Sequence, residues 1–385
     1  MAWRQEWTRR SALTALAGLA SGLAPDLAAG AEGIRLRDLA GRDVELPRPV
    51  RRVVLGEGRL LYLLAALERE DPVARVVGWR RDLEQTDPAT YARYLARFPQ
   101  IGRLPVVGSN EAGALDVERI VALEPDLLLL STDVAAGGSL SSQAQALMKA
   151  GIAVLFVDFR YQPMQNTVPT MRLLGRALGR EDRAEAFIAF WSAQIRRVTD
   201  VISARQPARP RVFIERIGGY SEECCFSFGR ENFGLFAEMA GADNIAANLI
   251  PGTFGQVNPE QVIVADPQHV VVTSADWHRF SPQGDWIPVG PGGDAAESLR
   301  KLRLYPGKPA YRGSSAALNR RFHAIWHQFY NSPYQFVAIQ QMAKWFHPSL
   351  FEALQPGATF GELHDRFLPL RYEAGYFSSL TSFRE

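Results

Sequence analysis

Cysteine is nearly absent from this chain: of 385 residues only Cys224 and Cys225 carry thiols, and they are neighbours. A bridge between neighbours closes almost no loop and adds little stability. A disulfide-stapled scaffold is therefore excluded, and two half-buried thiols in a strand or turn are expected. Lysine is almost as scarce, with Lys149, Lys301, Lys308 and Lys344 leaving arginine to supply nearly all the basic side. Lys and Arg number 43 against 41 acidic residues, a net charge of +2, and no basic block tracks a phosphate backbone. Nucleic-acid binding is set aside on these grounds. Arginine favours planar, bidentate partners such as carboxylates, so single arginines still matter where the sum does not.

Several chemistries lack their signatures. Gly56-x-Gly58 follows a strand, but the third glycine of the dinucleotide fingerprint is replaced by Leu61, and no acid follows the next strand. A loop that needs tight turns is the better reading. His323 and His327 stand four apart and could share a helix face, yet Ala324 occupies the place of the zincin glutamate. The six histidines form no recognisable ligand cluster, with or without cysteine. No G-x-S-x-G elbow or S-x-x-K follows the relevant strands. Enzyme chemistry and an intrinsic metal or cofactor thus have no support, and none is expected.

What is present begins with Thr8-Arg9-Arg10-Ser11-Ala12-Leu13, a twin-arginine signature, then an apolar stretch from Ala12 to Ala24 and small residues at Ala29-Gly30-Ala31. Residues 1–31 read as a signal peptide for twin-arginine export to the periplasm, leaving about 354 residues. No later stretch approaches 18 uncharged apolar residues, so a soluble product is expected.

Short apolar strands alternate with helices thereafter. Strands are expected at Arg52–Leu55, Val73–Trp79, Leu127–Leu130 and Ala153–Val157, after a pair-forming segment over Ile34–Leu46. Helices are expected over Arg59–Leu67, Pro88–Phe98 and Ser142–Ala150. That alternation indicates a parallel sheet covered on both faces. From Thr167 to Ala204 runs a long helical stretch, broken near Gly179 and stopped by Gln206-Pro207-Ala208-Arg209-Pro210. A second strand–helix series then opens at Arg211-Val212-Phe213-Ile214. The division expected is an N-terminal α/β lobe at 32–165, a linker helix at 166–206 and a C-terminal α/β lobe at 207–385.

The most informative feature is an internal repeat. Residues 116–130 read DVERIVALEPDLLLL and residues 258–272 read NPEQVIVADPQHVVV, aligned without a gap at an offset of 142 residues. Asp116 and Asn258 suit helix N-caps, Glu118 and Glu260 fall in the first turn, and Pro125 and Pro267 follow a short helix before an aliphatic strand. Two matched lobes follow, each with one glutamate at the same point of an equivalent element.

The loops after the strands carry Arg59, Trp79, Arg80, Arg81, Tyr161, Arg216, Tyr220, Trp277 and His278. In open α/β sheets ligands bind beyond the carboxyl ends of strands, and two facing lobes would pool these side chains in one cleft. Arginines there suit carboxylate, catecholate or hydroxamate oxygens, and rings suit an apolar or conjugated face. Glu57 reads equally as a surface acid or a ligand-side acid. Gly218-Gly219-Tyr220 reads equally as a close-approach loop or an ordinary turn.

With these motifs the chain resembles, over residues 48–355, the periplasmic substrate-binding proteins of ABC importers for iron–siderophore, haem and cobalamin (class III, the periplasmic binding protein 2 group). The carriers are LDVERIVALEPDLLLL, VNPEQVIVADPQHVVV, RRVVLGEGRLLYLLAAL, GLFAEMAGADNIA and the late NSPYQFVAIQQMAKWFHPSLF. The resemblance implies two Rossmann-like α/β lobes with parallel-sheet cores, joined by a single long helix, with the ligand cleft between them. It implies a monomer without a chemical step that delivers its ligand to a permease dimer with its ATPase. By motif Glu118 and Glu260 would dock on the permease. Ligand contacts transfer loosely onto Arg59, Arg80, Arg81, Tyr161, Arg216, Tyr220, Trp277 and His278. A ferric–siderophore complex is the ligand the reading puts first. Haem, cobalamin or another metal chelate is the alternative, with Tyr161, Tyr220 and His278 as haem-ligand candidates, and an exported enzyme or sensory module the second. Added material at 279–313 and beyond residue 355 departs from the compact cobalamin binders.

Overall fold

The computed structural model describes residues 33–381 except 48, 109–113, 136–138 and 222; the twin-arginine segment lies outside the described residues. The chain begins with an antiparallel hairpin, β1 (Ile34–Arg37) and β2 (Asp43–Leu46). Next come β3 (Val53–Leu55), α1 (Leu61–Leu67), β4 (Val76–Trp79), α2 (Asp82–Thr86) and α3 (Pro88–Arg97). The first half closes with α4 (Val117–Ala122), β5 (Leu127–Ser131), α5 (Thr132–Ala135), α6 (Ser139–Lys149) and β6 (Val154–Val157). Its sheet is wholly parallel in the order β4-β3-β5-β6, and β5 is buried along its whole length, as its run of four leucines demands.

Two helices follow, α7 (Pro163–Leu178) and α8 (Glu181–Arg205), where one linker helix was expected. Gly179 takes the left-handed conformation (φ 64°) that ends α7, and α8 starts anew two residues later. Helix α8 alone, about 37 Å long at 1.5 Å per residue, touches α1 on one side and, on the other, two helices of the second half.

That half contains β7 (Arg211–Glu215), β8 (Phe226–Phe228), α9 (Phe233–Met239), β9 (Asp243–Asn244), β10 (Phe254–Gln256), α10 (Pro259–Ala265) and β11 (His269–Ser274). It continues with α11 (Ala295–Leu302), α12 (Ser315–Leu318), β12 (Phe322–Trp326), α13 (Gln335–Phe346), α14 (Pro356–Phe367) and β13 (Phe377–Ser379). The sheet order is β13-β12-β11-β7-β9, parallel except for the antiparallel edge strand β13. The molecule is thus bilobal, with a parallel-sheet core in each half.

One hydrophobic cluster runs through both halves and the helices between them. Tyr62 of α1 packs edge-on against Tyr334, and Tyr334 and Tyr376 both meet Phe360 of α14. The stretch beyond residue 355 straps the halves together: Arg69 donates to the Leu368 carbonyl, Arg183 to those of Arg366 and Phe367, and Arg93 pairs with Glu373. No helix among the described residues is long and apolar enough to cross a membrane.

The repeat is matched beyond the aligned letters. Asp116 and Asn258 each cap their helix by accepting a first-turn backbone N–H. Glu124 and Asp266, at equivalent positions, both have φ 43°. Asp126 accepts the Arg51 and Arg52 N–H groups at the entry to β3, and Gln268 accepts the Arg211 N–H at the entry to β7. Arg52 donates to the Leu123 and Glu124 carbonyls, and Arg211 to those of Ala265 and Asp266. In both lobes, then, an arginine satisfies the carbonyls that the helix end leaves open.

Candidate functional site

The carboxyl ends of β3, β5 and β6 face those of β7, β11 and β12 around one cluster of arginines and rings. Arg59 lies just past the turn Gly56-Glu57-Gly58. A Cβ on Gly56 would stand 2.2 Å from Leu130, and one on Gly58 2.4 Å from the Arg80 carbonyl, so both glycines serve close packing. Arg59 is largely buried and its fork is fully used. Nε donates to Asp82 Oδ2 (2.8 Å), Nη2 to Glu57 Oε2 (3.2 Å) and Nη1 to Asn331 Oδ1 (3.1 Å). Burial alone would lower its pKa, but Glu57 and Asp82 outweigh it and the guanidinium is held charged. Asn331 belongs to the second half and is itself held by Gln328, whose amide reaches the Thr86 carbonyl. This network spans the cleft.

Beside it, Arg160 Nη2 lies 3.6 Å from Glu57 Oε1 and donates to Tyr161 Oη (2.7 Å), while Tyr161 donates to Asp133 Oδ2 (2.8 Å). Burial, with Asp133 adding to it, raises the Tyr161 pKa, so the residue is a neutral phenol. Glu57, Asp82 and Asp133 therefore neutralise the arginines of the first half.

The second half is built differently. Arg216, at the end of β7, lies with its guanidinium carbon 4.1 Å from the centre of the Phe254 ring, and its Nε is sealed from solvent without an acceptor among the described residues. Phe254 itself is 45% exposed. Trp277, past β11, is 5% exposed, and its indole N–H likewise has no acceptor among the described residues. Trp277 stands edge-on to His327 (5.4 Å) and to Tyr220 (6.0 Å), and Tyr220 leans on Phe280 (5.8 Å). His327 bonds Thr273 Oγ1 through Nδ1 (2.9 Å). Burial, then the charges of Arg216 and Arg59, pushes its pKa well down, so it is neutral and uncharged between two arginines.

Of the residues singled out in the sequence, Arg59, Tyr161, Arg216, Tyr220 and Trp277 are brought to this cleft. Arg80 reaches the Gly56 carbonyl with Nη1 (3.4 Å), beneath the loop. Arg81 faces Glu84 (3.5 Å) and the Gly102 carbonyl. His278 is exposed on the loop after Trp277, its backbone N–H held by Asp276. Glu118 and Glu260 are exposed in the first turns of α4 and α10, as their N-terminal positions imply.

Three readings need correction. His323 and His327 share no helix, since His323 lies on β12 and His327 just past its end. Cys224 and Cys225 are joined in a disulfide where two thiols were expected; Cys225 takes a positive φ of 85° on the way into β8, a local backbone that a loop-closure argument does not weigh. Asn331, Arg160 and Tyr330, the last edge-on to His327 at 4.8 Å, were missed as cleft residues. Asn331 meets Arg59 across 272 residues of chain, and no local pattern marks such a contact. No group of three His, Cys, Asp or Glu among the described residues could hold a metal ion.

Residues 53–288, more than half of the chain, match the family described as "Periplasmic binding protein". The TroA-like periplasmic binding protein FepB of Veillonella parvula superposes with a TM-score of 0.80 at 26% identity, over 90% of this chain and all of that one. A cobalamin-binding protein of Halobacterium salinarum is 29% identical over 186 residues, 48% of this chain and 47% of its own. A vitamin B12-binding protein of Pectobacterium carotovorum is 24% identical over 191 residues, 49% of this chain and 64% of its own. The chain thus spans about half to two-thirds of the length of these two relatives.

Proposed function

The chain belongs to the periplasmic binding protein family, in its class III, TroA-like branch, and from that premise we propose that it is the solute-binding component of an ABC importer. It captures a metal chelate between its lobes and delivers it to a permease dimer, without chemistry on the ligand. The observation that carries this is Arg216, a half-buried cation without an ion pair among the described residues, lying on the exposed ring of Phe254 and close to Trp277. Such a wall offers a positive charge together with flat apolar surface, which suits a large ligand with peripheral carboxylates or amides. The two curated relatives named above bind corrinoids by name, so cobalamin and haem take precedence over the ferric siderophore that the sequence put first. Twin-arginine export to the periplasm, the lobe boundaries at 165 and 206, and a monomeric state belong to the same proposal.

In this scheme Glu118 and Glu260 mark the two lobes for the two permease subunits. The shared core and the strap beyond residue 355 favour small reorientations over wide opening. Titration with cyanocobalamin, haemin and a ferric catecholate, followed by quenching of tryptophan fluorescence, tests the ligand class. Saturable quenching by one of them is expected, and no quenching by any would overturn the reading. Replacing Glu118 and Glu260 together by alanine is expected to abolish uptake in cells while leaving that affinity unchanged. Normal uptake by the double variant would remove the docking role.

A further inference from the structure

A cavity at the opposite end of the second sheet has no part in the proposed function. It lies where β7, β11 and β12 begin, holds about 250 Å³, and is far from Arg216 and Trp277 along the same strands. Its polar lining is rich in donors. Arg209 is neutralised by Asp243 at 2.6 Å, but among the described residues Arg321 makes no ion pair and no carboxylate lines the space. Gln268 accepts the Arg211 N–H through its oxygen, which leaves its amide N–H groups for an occupant.

His269 completes the set. The ring is 4% exposed, and its Nδ1 meets His323 Nε2 at 3.0 Å. His323 Nδ1 in turn meets Ser379 Oγ at 2.9 Å, and Ser379 Oγ meets Thr381 Oγ1 at 3.1 Å. Burial keeps both imidazoles neutral, with the charge of Arg321 adding to it at each, and His269 is pushed down to about 3. Each neutral ring has one donor and one acceptor, so a serine donating inward leaves His269 Nε2 as an N–H, and that atom makes no hydrogen bond among the described residues. The ring walls are Trp345, stacked on His323 at 4.4 Å, and Phe346, edge-on to His269 at 5.2 Å.

We propose that this cavity is a second small-molecule site, which takes the carboxylate of a small organic anion on Arg321 and His269 with its ring or apolar body against Trp345 and Phe346. An uncompensated guanidinium beside aromatic walls selects charge and flatness together. The volume is below that of drug-sized pockets and suits a ligand of one ring.

Calorimetry on the full chain with benzoate, and with benzyl alcohol as its neutral counterpart, tests this. Benzoate is expected to bind at least tenfold more tightly than benzyl alcohol. Arg321→Ala is expected to erase that difference, Arg321→Lys to keep part of it, and Arg216→Ala to leave it unchanged. The lysine variant keeps the test valid should the alanine variant misfold. Equal binding of the two probes, or a loss that follows Arg216 instead of Arg321, would overturn the proposal. Because the cleft variant serves as the control, failure here leaves the chelate reading standing, and the reverse also holds.

Discussion

The two lobes are near copies at one end and dissimilar at the other. Both central strands begin after a left-handed residue at the equivalent position, and both helix ends are closed by an arginine at the entry to the adjacent strand, Arg52 in one lobe and Arg211 in the other. Each also carries one exposed first-turn glutamate. At the cleft this correspondence stops. The first lobe surrounds Arg59 and Arg160 with Glu57, Asp82 and Asp133, whereas the second leaves Arg216 on a ring with an unused N–H. Duplicated features suit a partner that is itself twofold. An unlike pair of walls suits one ligand with two different faces.

The largest effect that separates the two walls concerns stability. Arg59→Ala would leave buried Asp82 without its cation, Asn331 without its donor and Glu57 with Arg160 alone, and losing one member of such a buried network costs about 3–5 kcal/mol. Arg216→Ala removes a half-buried stack with no ion pair among the described residues and is expected to cost under about 1 kcal/mol. Urea denaturation of both variants measures the difference. Equal losses would show that the first wall is not held by its charges, and the contrast drawn here would fail.

Much of this architecture was legible in the chain. Four-leucine and three-valine runs can only be buried parallel strands, and a repeat with caps, acids and prolines in register implies two similar units. The helix break at Gly179 was legible too, although its consequence, a helix pair, depends on the left-handed backbone there. The cleft was half legible. Loops after strands put Arg59, Arg216 and Trp277 at one cleft, because sheet topology alone brings them together. Arg80 and Arg81 occupy equally suitable loop positions, yet the Gly56 carbonyl and Glu84 engage them instead. Asn331, Phe254 and Tyr330 arrive from elements whose approach depends on how the halves pack, and no local pattern records that.

A second effect, intermediate in size, sharpens the contrast through pH. All six histidines lie from His269 onward, and His269, His323 and His327 are buried in the second lobe. Burial depresses their folded pKa values below the unfolded value near 6.5. The unfolded chain therefore takes up protons first, so their contribution is present above pH 6.5 and is lost as pH falls below it. From pH 7 to 5.5 the loss is about 1 kcal/mol for each imidazole, about 3 kcal/mol in all. In the first lobe the buried Asp87 is shifted the other way, upward by burial, and gives no such loss. Hydrogen exchange at the two pH values, corrected for intrinsic rates, is expected to show β11 and β12 losing protection before β3 and β5. Uniform loss, or earlier loss in the first lobe, would break the contrast.

The smallest effect tests what the second wall is for. If the guanidinium of Arg216 and the ring of Phe254 hold the ligand, Arg216→Ala should weaken chelate binding about tenfold, or about 1.4 kcal/mol, with little change in stability. Arg216→Lys keeps the charge but loses the planar stack and the fork, so it should recover only part of that affinity. The order alanine, lysine, arginine in rising affinity separates a planar contact from simple charge attraction. Lysine equal to arginine would reduce Arg216 to a point charge, and alanine equal to arginine would move the ligand to the first wall. There every arginine already has an acid, so the ligand would have to displace Glu57 or Asp133, and binding would weaken as those acids gained from being left paired.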